Sequence, residues 1–319
     1  MKILIGSNGG LSGVYLAKNL SQCEQIEIYG ADSLERSVGK FFVKKQFVLP
    51  NATSESFVDE LISLINREKI DIYMPTHSKE TKIVSRNENI IRSRCDAAFF
   101  ISPYETYMAL EDKSDATRNL ERIGIPVPQL LANPNEKDYP IFMKYNVGSG
   151  SKGTGLVENR MLYEAFKNSY IDASFYEYIR GIEYTVDCLF DGEGVLQCFN
   201  QRIRERSVGG AVSVSSTDNH FDILPWIKKI SQTWKFCGCV NFQYILMDNV
   251  PYFIDINLRF PAGGLALTVE TGMDIPKLMV NLLSDGEKVP VSYVANGNHQ
   301  YLCKNIRMYK YYEEIFEEI

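Results

Sequence analysis

Gln243, Asp255, Asn257 and Arg259 are polar residues whose types and spacing suit phosphate and metal chemistry. They lie on two arms of alternating apolar and polar residues joined at Asp248-Asn249, a pattern that predicts a β-hairpin with a tight turn. Side chains alternate across a strand, so Asp255 and Asn257 share a face, and Arg259 continues the row if the strand does. Gln243, on the partner arm, is placed to face them. A carboxylate, two carboxamide oxygens and a guanidinium on one surface suit a magnesium–phosphate complex. The solvated face of an ordinary hairpin shows the same alternation, so the surrounding elements must decide between the two.

A second group lies mid-chain. The expected strand from Tyr139 ends at Lys144 and leads into a loop containing Gly148, Ser149, Gly150, Ser151, Lys152 and Gly153. Glycines and serines around a lysine expose backbone N–H groups and hydroxyls to an anion, with the lysine as point charge. The Walker order G-x-x-x-x-G-K-[ST] is absent and a β-hairpin is expected to follow, so a flexible surface hairpin also fits. Upstream, Glu111-Asp112-Lys113-Ser114 opens a helix predicted to reach Arg122.

Downstream, strands are predicted over Ser174–Ile179 and Ile182–Phe190, the second turning at Asp191–Gly194. Glu183, Thr185 and Asp187 share one face of it. The next strand ends in Arg202, Arg204 and Arg206, again on one face, beside the loop at Gly209 and Gly210. This row suits an anionic substrate, and equally a set of surface salt bridges to nearby glutamates.

The elements before these groups read as a doubly wound parallel sheet. Strands are expected at residues 2–6, Gln25–Tyr29, Gln46–Leu49, Ile70–Met74 and Ala97–Ile101, with a serine-capped helix over Ser54–Arg67. The loop Gly6–Gly13 spaces its glycines as G-x-x-G-G-x-x-G rather than G-x-G-x-x-G. This favours a tight strand-to-helix turn, with a small-molecule site at the sheet's carboxyl edge, over a nicotinamide site using Asp32. His77, after the fourth strand, receives no role.

A length of 319 residues suggests about two domains. A formal charge of −6 gives no electrostatic footprint for nucleic acid. The apolar runs are strand-sized, and Gly6 cuts the first run too short for a signal peptide, so neither a membrane span nor a leader is expected. Seven scattered cysteines and three separated histidines give no zinc pattern and suit a reduced, cytoplasmic protein.

Taken in order, Lys113, the strand-terminal Lys144, the Gly-Ser-Lys loop, the Glu177-Tyr178-Ile179 strand and the Gln243…Asp255-x-Asn257 hairpin resemble the ATP-grasp superfamily. The likeness is to its carbamoyl phosphate synthetase and biotin carboxylase branch, which contains small carboxylate–amine ligases. The fold implied is α/β and α+β: a doubly wound, Rossmann-like pre-ATP-grasp domain over 1–102, a small lid subdomain over 103–180, and a C-terminal subdomain over 181–319. The last would carry the metal site and a tail, which reads as an amphipathic helix.

The resemblance implies ATP and Mg2+, with Mn2+ as a substitute. Lys113 and Lys144 would contact phosphates, and the loop Gly148–Gly153 would close over them, Lys152 acting in catalysis. Glu177, Tyr178 and Ile179 would meet the adenine and Glu183 the ribose. Gln243, Asp255 and Asn257 would hold metal, and Arg259 the transferred phosphoryl group. Arg202, Arg204, Gly209, Gly210, Gly263 and Gly264 would face substrate. The sequence departs from the family pattern at Asp255, where glutamate is usual, at Gln243, where an acid is commoner, and at Leu258, where many members have proline.

The activity implied is phosphorylation of a small carboxylate to an acyl phosphate and its capture by an amine, with release of ADP and phosphate. The alternatives are a carbamate- or carbonate-activating enzyme and an ATP-binding regulatory protein with a degenerate site. Partners are then small molecules, and a homodimer is admitted by the resemblance.

Overall fold

The computed structural model describes residues 1–148, 153–284, 289–290, 306–311 and 314–317. Strands β1 (Lys2–Gly6), β2 (Glu27–Asp32), β3 (Lys45–Val48) and β4 (Ile72–Met74) form one parallel sheet in the order β3-β2-β1-β4. Helices α1 (Leu11–Leu20) and α2 (Phe57–Glu68) make the crossovers. Strands β1 and β4 are nearly continuous apolar runs because both faces are covered.

The glycines of the loop after β1 lie where side chains would not fit: a Cβ would meet Glu80 at Gly6, Ser37 at Gly9 and the Asn8 backbone at Gly13. Asn8 exchanges hydrogen bonds with Gln46 at 2.7 and 2.9 Å, and Cβ atoms at Gly13, Gly30 or Gly39 would lie within 2.5 Å of it. Asp32 accepts from the Gly9 N–H at 2.9 Å and from the Leu34 N–H at 3.0 Å, so it ties the loops after β1 and β2 together.

Two expectations for this region need correction. Ala97–Ile101 is not a strand, because only Ala98 bridges to Ile72 before the chain turns toward Pro103. The helix expected from Ser54 begins at Phe57, since the Ser54 hydroxyl meets that of Ser56 at 3.3 Å instead of capping backbone N–H groups.

Helices α3 (Ser78–Arg86), α4 (Glu88–Arg94), α5 (Tyr104–Leu110) and α6 (Lys113–Arg122) lead into a small antiparallel sheet. It contains β5 (Ile141–Tyr145), β6 (Gly155–Val157) and β7 (Ala173–Glu177) in the order β6-β5-β7, with α7 (Arg160–Ser169) between β6 and β7. Ile141, Met143, Val157, Tyr163 and Phe175 give it an apolar core of its own.

The third sheet is antiparallel, in the order β12-β11-β8-β9-β10-β13. Its strands are β8 (Ile182–Phe190), β9 (Leu196–Val208), β10 (Ala211–Thr217), β11 (Gly238–Met247), β12 (Val250–Asn257) and β13 (Arg307–Tyr309). Helix α8 (Leu224–Thr233) precedes β11, and α9 (Leu265–Glu270) and α10 (Ile275–Leu283) follow β12. The expected tail helix is not present among the described residues. The tail supplies β13 instead, where alternation and the open backbone of β10 favour a ladder. Apolar contacts run from the parallel sheet through α5 and α6 to β8, β11 and β12, so the sheets hold one another in place.

Candidate functional site

The β11–β12 hairpin turns at Asp248 and Asn249, whose φ angles of 50° and 61° are those of a tight two-residue turn that matches strand twist. Its register pairs Gln243 with Asp255 and Asn241 with Asn257. Between these pairs and the turn the ladder slips: Tyr244 opposes Phe253, leaving Ile254 as the extra residue of a β-bulge. The bulge inverts the side-chain phase. Pro251 and Phe253 are buried on the turn side of it and Ile256 and Leu258 on the other, which leaves Asp255 and Asn257 on the polar face. The freed carbonyl of Ile254 accepts from Lys144 Nζ at 3.0 Å.

Lys144 reaches it from the small sheet. Ile141 and Met143 point into that sheet's core, so Phe142 and Lys144 point the other way. The Lys144 ammonium lies 4.5 Å from the centre of the Tyr176 ring, an arrangement that attracts a cation. Burial pulls its pKa from 10.5 down to about 8, helped by neighbouring Lys113 and opposed by Asp255 and Glu183.

Lys113 is the first residue of α6. Asp112 caps that helix by accepting from the N–H groups of Ser114 and Asp115 at 2.9 and 3.0 Å. The Lys113 N–H donates to Asn146 and its Nζ to the Gly148 carbonyl, so helix and glycine loop are tied together. Its Nζ lies 3.9 Å from Asp255 Oδ1.

The large and small sheets enclose a cleft of about 320 Å3. Lys113, Lys144, Gly148, Glu177, Tyr178, Ile179, Glu183, Arg204, Gln243 and Asp255 all line it. Asn257 lines an adjoining crevice, which shares Lys113, Gly148 and Asp255 with the cleft. Its Nδ2 donates to Asp255 Oδ2 at 3.0 Å and its Oδ1 accepts from Arg259 Nη2 at 3.3 Å. Arg259 Nε donates to Ser78 Oγ at 2.8 Å, which links the hairpin to the parallel-sheet unit. Burial lowers the pKa of this guanidinium, with Asp255 opposing.

The arginine row of β9 does not act as one surface. Arg204 ion-pairs with Glu183 at 2.7 Å and donates to the Gly210 carbonyl at 3.2 Å, within the cleft. Arg202 is 1% exposed and lies outside it, donating to both oxygens of Asp187 at 2.9 and 3.1 Å. Thr268 and Asn200 extend that network. Gly264 packs on the Arg202 guanidinium so closely that a Cβ there would lie 2.1 Å from Cζ. Gly263, with φ 91°, rests on Val212, and Gly209 forms an open turn with Gly210. None of these four glycines lines the cleft. Gly153, with φ 67°, packs on the Tyr145 ring. Ser149, Gly150, Ser151 and Lys152 lie outside the described residues.

The structure adds Phe142, Tyr176, the Ile254 carbonyl and Ser78. Phe142 was legible from its alternation with Ile141 and Met143, whereas a bulge carbonyl leaves no residue-type signal. Among the described residues no three His, Cys, Asp or Glu side chains gather. A cation at the hairpin would therefore meet one carboxylate and carboxamide oxygens, all hard donors.

Residues 174–306 match the family model "ATP-grasp in the biosynthetic pathway with Ter operon". This C-terminal part of the chain is thus similar to an ATP-grasp domain. A curated relative, the carbamoyl phosphate synthase large chain of Clostridium acetobutylicum, is 19% identical over 251 residues, 72% of this chain and 23% of that one. The chain thus spans less than a quarter of the length of the curated relatives it matches. The biotin carboxylase domain of Hydrogenobacter thermophilus 2-oxoglutarate carboxylase, solved with MgADP and bicarbonate, shares the fold at a TM-score of 0.69 and 15% identity. The alignment covers 93% of this chain and 71% of that one. An L-amino acid ligase from Bacillus licheniformis gives a TM-score of 0.65 at 15% identity, covering 88% and 74%. The ATP-grasp fold thus extends beyond the part that the family model matches. Among the described residues no helix is long and apolar enough to cross a membrane.

Proposed function

We propose that this chain is an ADP-forming ligase that activates a carboxylate with ATP and joins it to an amine. The observation that carries this reading is the convergence of Lys113, Lys144, Gln243 and Asp255 on one cleft, beside the strand end at Glu177–Ile179. In it, Glu177, Tyr178 and Ile179 would border the base, Glu183 the ribose, and the two lysines the phosphates. The all-oxygen donor set of Asp255, Gln243 and Asn257 fits Mg2+, which when bound supplies charge neutralisation of the phosphate oxygens. The MgADP held by the structurally similar biotin carboxylase domain supports the same nucleotide and metal here. The units that work together would be 1–102, 103–180 and 181–319, the small sheet with its own core moving as the lid.

A carboxylate oxygen would attack the γ-phosphorus as the β–γ bridging bond breaks, giving an acyl phosphate and ADP. An amine would then attack the acyl carbon, forming the C–N bond, releasing phosphate and losing a proton. Arg259, braced by Ser78 and Asn257, would steady the transferred group. Water has to be excluded between the two steps, because an exposed acyl phosphate hydrolyses. The Gly148–Gly153 loop would supply that exclusion.

A second reading, activation of bicarbonate, draws support from the bicarbonate bound in the biotin carboxylase structure. The test is a screen for ADP and phosphate release over pools of carboxylates and amines, with bicarbonate as a separate arm. ADP release that needs both a carboxylate and an amine supports ligation, whereas release with bicarbonate alone selects the second reading. AMP and pyrophosphate as products would sink both. Nucleotide binding with no turnover in any arm would leave a regulatory protein with an impaired site.

A further inference from the structure

A cavity larger than the nucleotide cleft lies outside it. It has a volume of about 680 Å3 and sits where all four parallel strands end. Ser7 follows β1, Asp32 ends β2, Leu49 follows β3 and His77 follows β4, and each lines it. The strand order reverses at β1, which has β2 on one side and β4 on the other. Open parallel sheets bind ligands outside the carboxyl ends of their strands at such a reversal.

The charges in this cavity are unevenly satisfied. Asp32 is engaged by the Gly9 and Leu34 N–H groups, and Glu80 is buried with its Oε1 accepting from the Tyr73 hydroxyl at 2.5 Å. Burial raises the Glu80 pKa and lowers that of His77, so both are held toward their neutral forms. Arg36 and Lys79 also line the cavity, from the loop after β2 and from the start of α3. Neither has a carboxylate within ion-pair distance among the described residues. Two cations without counter-charges thus face a cavity whose acids are occupied or held toward neutrality.

His77 and Lys79 also line the crevice that leads to Asp255 and Asn257. The cavity and the crevice therefore adjoin at these two residues.

We propose that this cavity seats the anionic end of a small substrate, a carboxylate or phosphate group held between Arg36 and Lys79, while the reacting end points along the crevice to Asp255. That the ligand is a substrate rests on the ligase reading. That the cavity binds an anion does not. Arg36 and Lys79 are the specificity-determining residues of this site.

The test is calorimetric titration of inorganic phosphate and, separately, glutarate into the full chain, with and without saturating Mg·ADP. Arg36→Gln and Lys79→Gln are each expected to weaken probe binding by about tenfold, the scale of one charge-assisted hydrogen bond. For Arg36→Gln, Mg·ADP affinity should stay unchanged, because Arg36 lines neither the nucleotide cleft nor the crevice at Asp255. Both side chains are exposed, so the variants keep the fold. The tighter probe identifies the group as phosphate or carboxylate. Failure of both probes to bind the unaltered chain at millimolar concentration, or equal binding by the double variant, overturns the proposal. If the anion titrations behave as expected but Mg·ADP does not bind, the ligase reading falls and the anion site stands.

Discussion

Lys144 and Ile254 are joined across the cleft between the small and large sheets, the ammonium donating to a backbone carbonyl at 3.0 Å. That carbonyl is available because Ile254 is the bulged residue of β12 and has no opposite number on β11. The bulge thus does two things in one step. It turns Asp255 toward the cleft, and it anchors the small sheet's lysine against the large sheet.

A buried ammonium carries a stability cost with a definite pH window. The folded-state pKa of Lys144 is pulled from 10.5 to about 8, so between these values the unfolded chain holds a proton the folded chain has lost. Stability therefore rises with pH across that window, and the cost is fully present below it. Lys144→Met is expected to stabilise the protein by about 1–3 kcal/mol near neutral pH. The difference should shrink as pH approaches 10.5. Urea unfolding at two pH values measures it, and the same variant should bind ATP at least about tenfold more weakly.

Asp255 is the one carboxylate in the expected metal set and also the anion nearest Lys113. Asp255→Asn is expected to lower turnover by about a hundredfold or more, with unfolding free energy within about 1 kcal/mol of the unaltered chain. Full activity in this variant would show that the hairpin is not the metal site.

The Arg202–Asp187 pair is structural in its present setting. Asp187→Ala leaves a buried guanidinium without its partner and should cost about 3–5 kcal/mol in chemical denaturation. Replacing both residues by leucine should recover much of that loss, because neither charge then remains buried. A double variant no better than the single one would contradict a simple charge-pair account.

Ser78 holds Arg259 from a different sheet unit, at 2.8 Å from Nε. Ser78→Ala is expected to lower kcat by about tenfold while nucleotide Kd stays constant, and Ser78→Thr should restore most of the rate. A change in nucleotide affinity of the same size would place Ser78 in the binding of ATP instead.

Periodicity carried much of this architecture. Strand–helix alternation in the first hundred residues revealed the parallel sheet, and the two-residue period put Asp255 and Asn257 on one face. Lys144 was legible because its strand alternates cleanly. The bulge was not, since a run of four apolar residues, Pro251 to Ile254, conceals a change of phase. Nor does period alone say which end of an arginine row is buried. Arg202 is paired inside and Arg204 faces the cleft, a difference set by Asp187 and Glu183 on the neighbouring strand. The tail misled because aromatic residues among charges fit both a helix face and an edge strand. The choice was made by the unfilled edge of β10, which is distant in sequence.

That edge has a further meaning. β13 takes the backbone groups of Val214 to Ser216 into its own ladder, with Lys310 donating to Ser213 and Thr217 to Ile306 beside it. At the opposite margin, the Phe253 N–H donates to Pro126 at 2.9 Å. The five strands from β12 to β10 thus meet chain from elsewhere in the same molecule at each lateral margin, where an open row of amides would invite a foreign strand. A foreign strand could pair with β10 only once β13, the protein's own tail, had been peeled away.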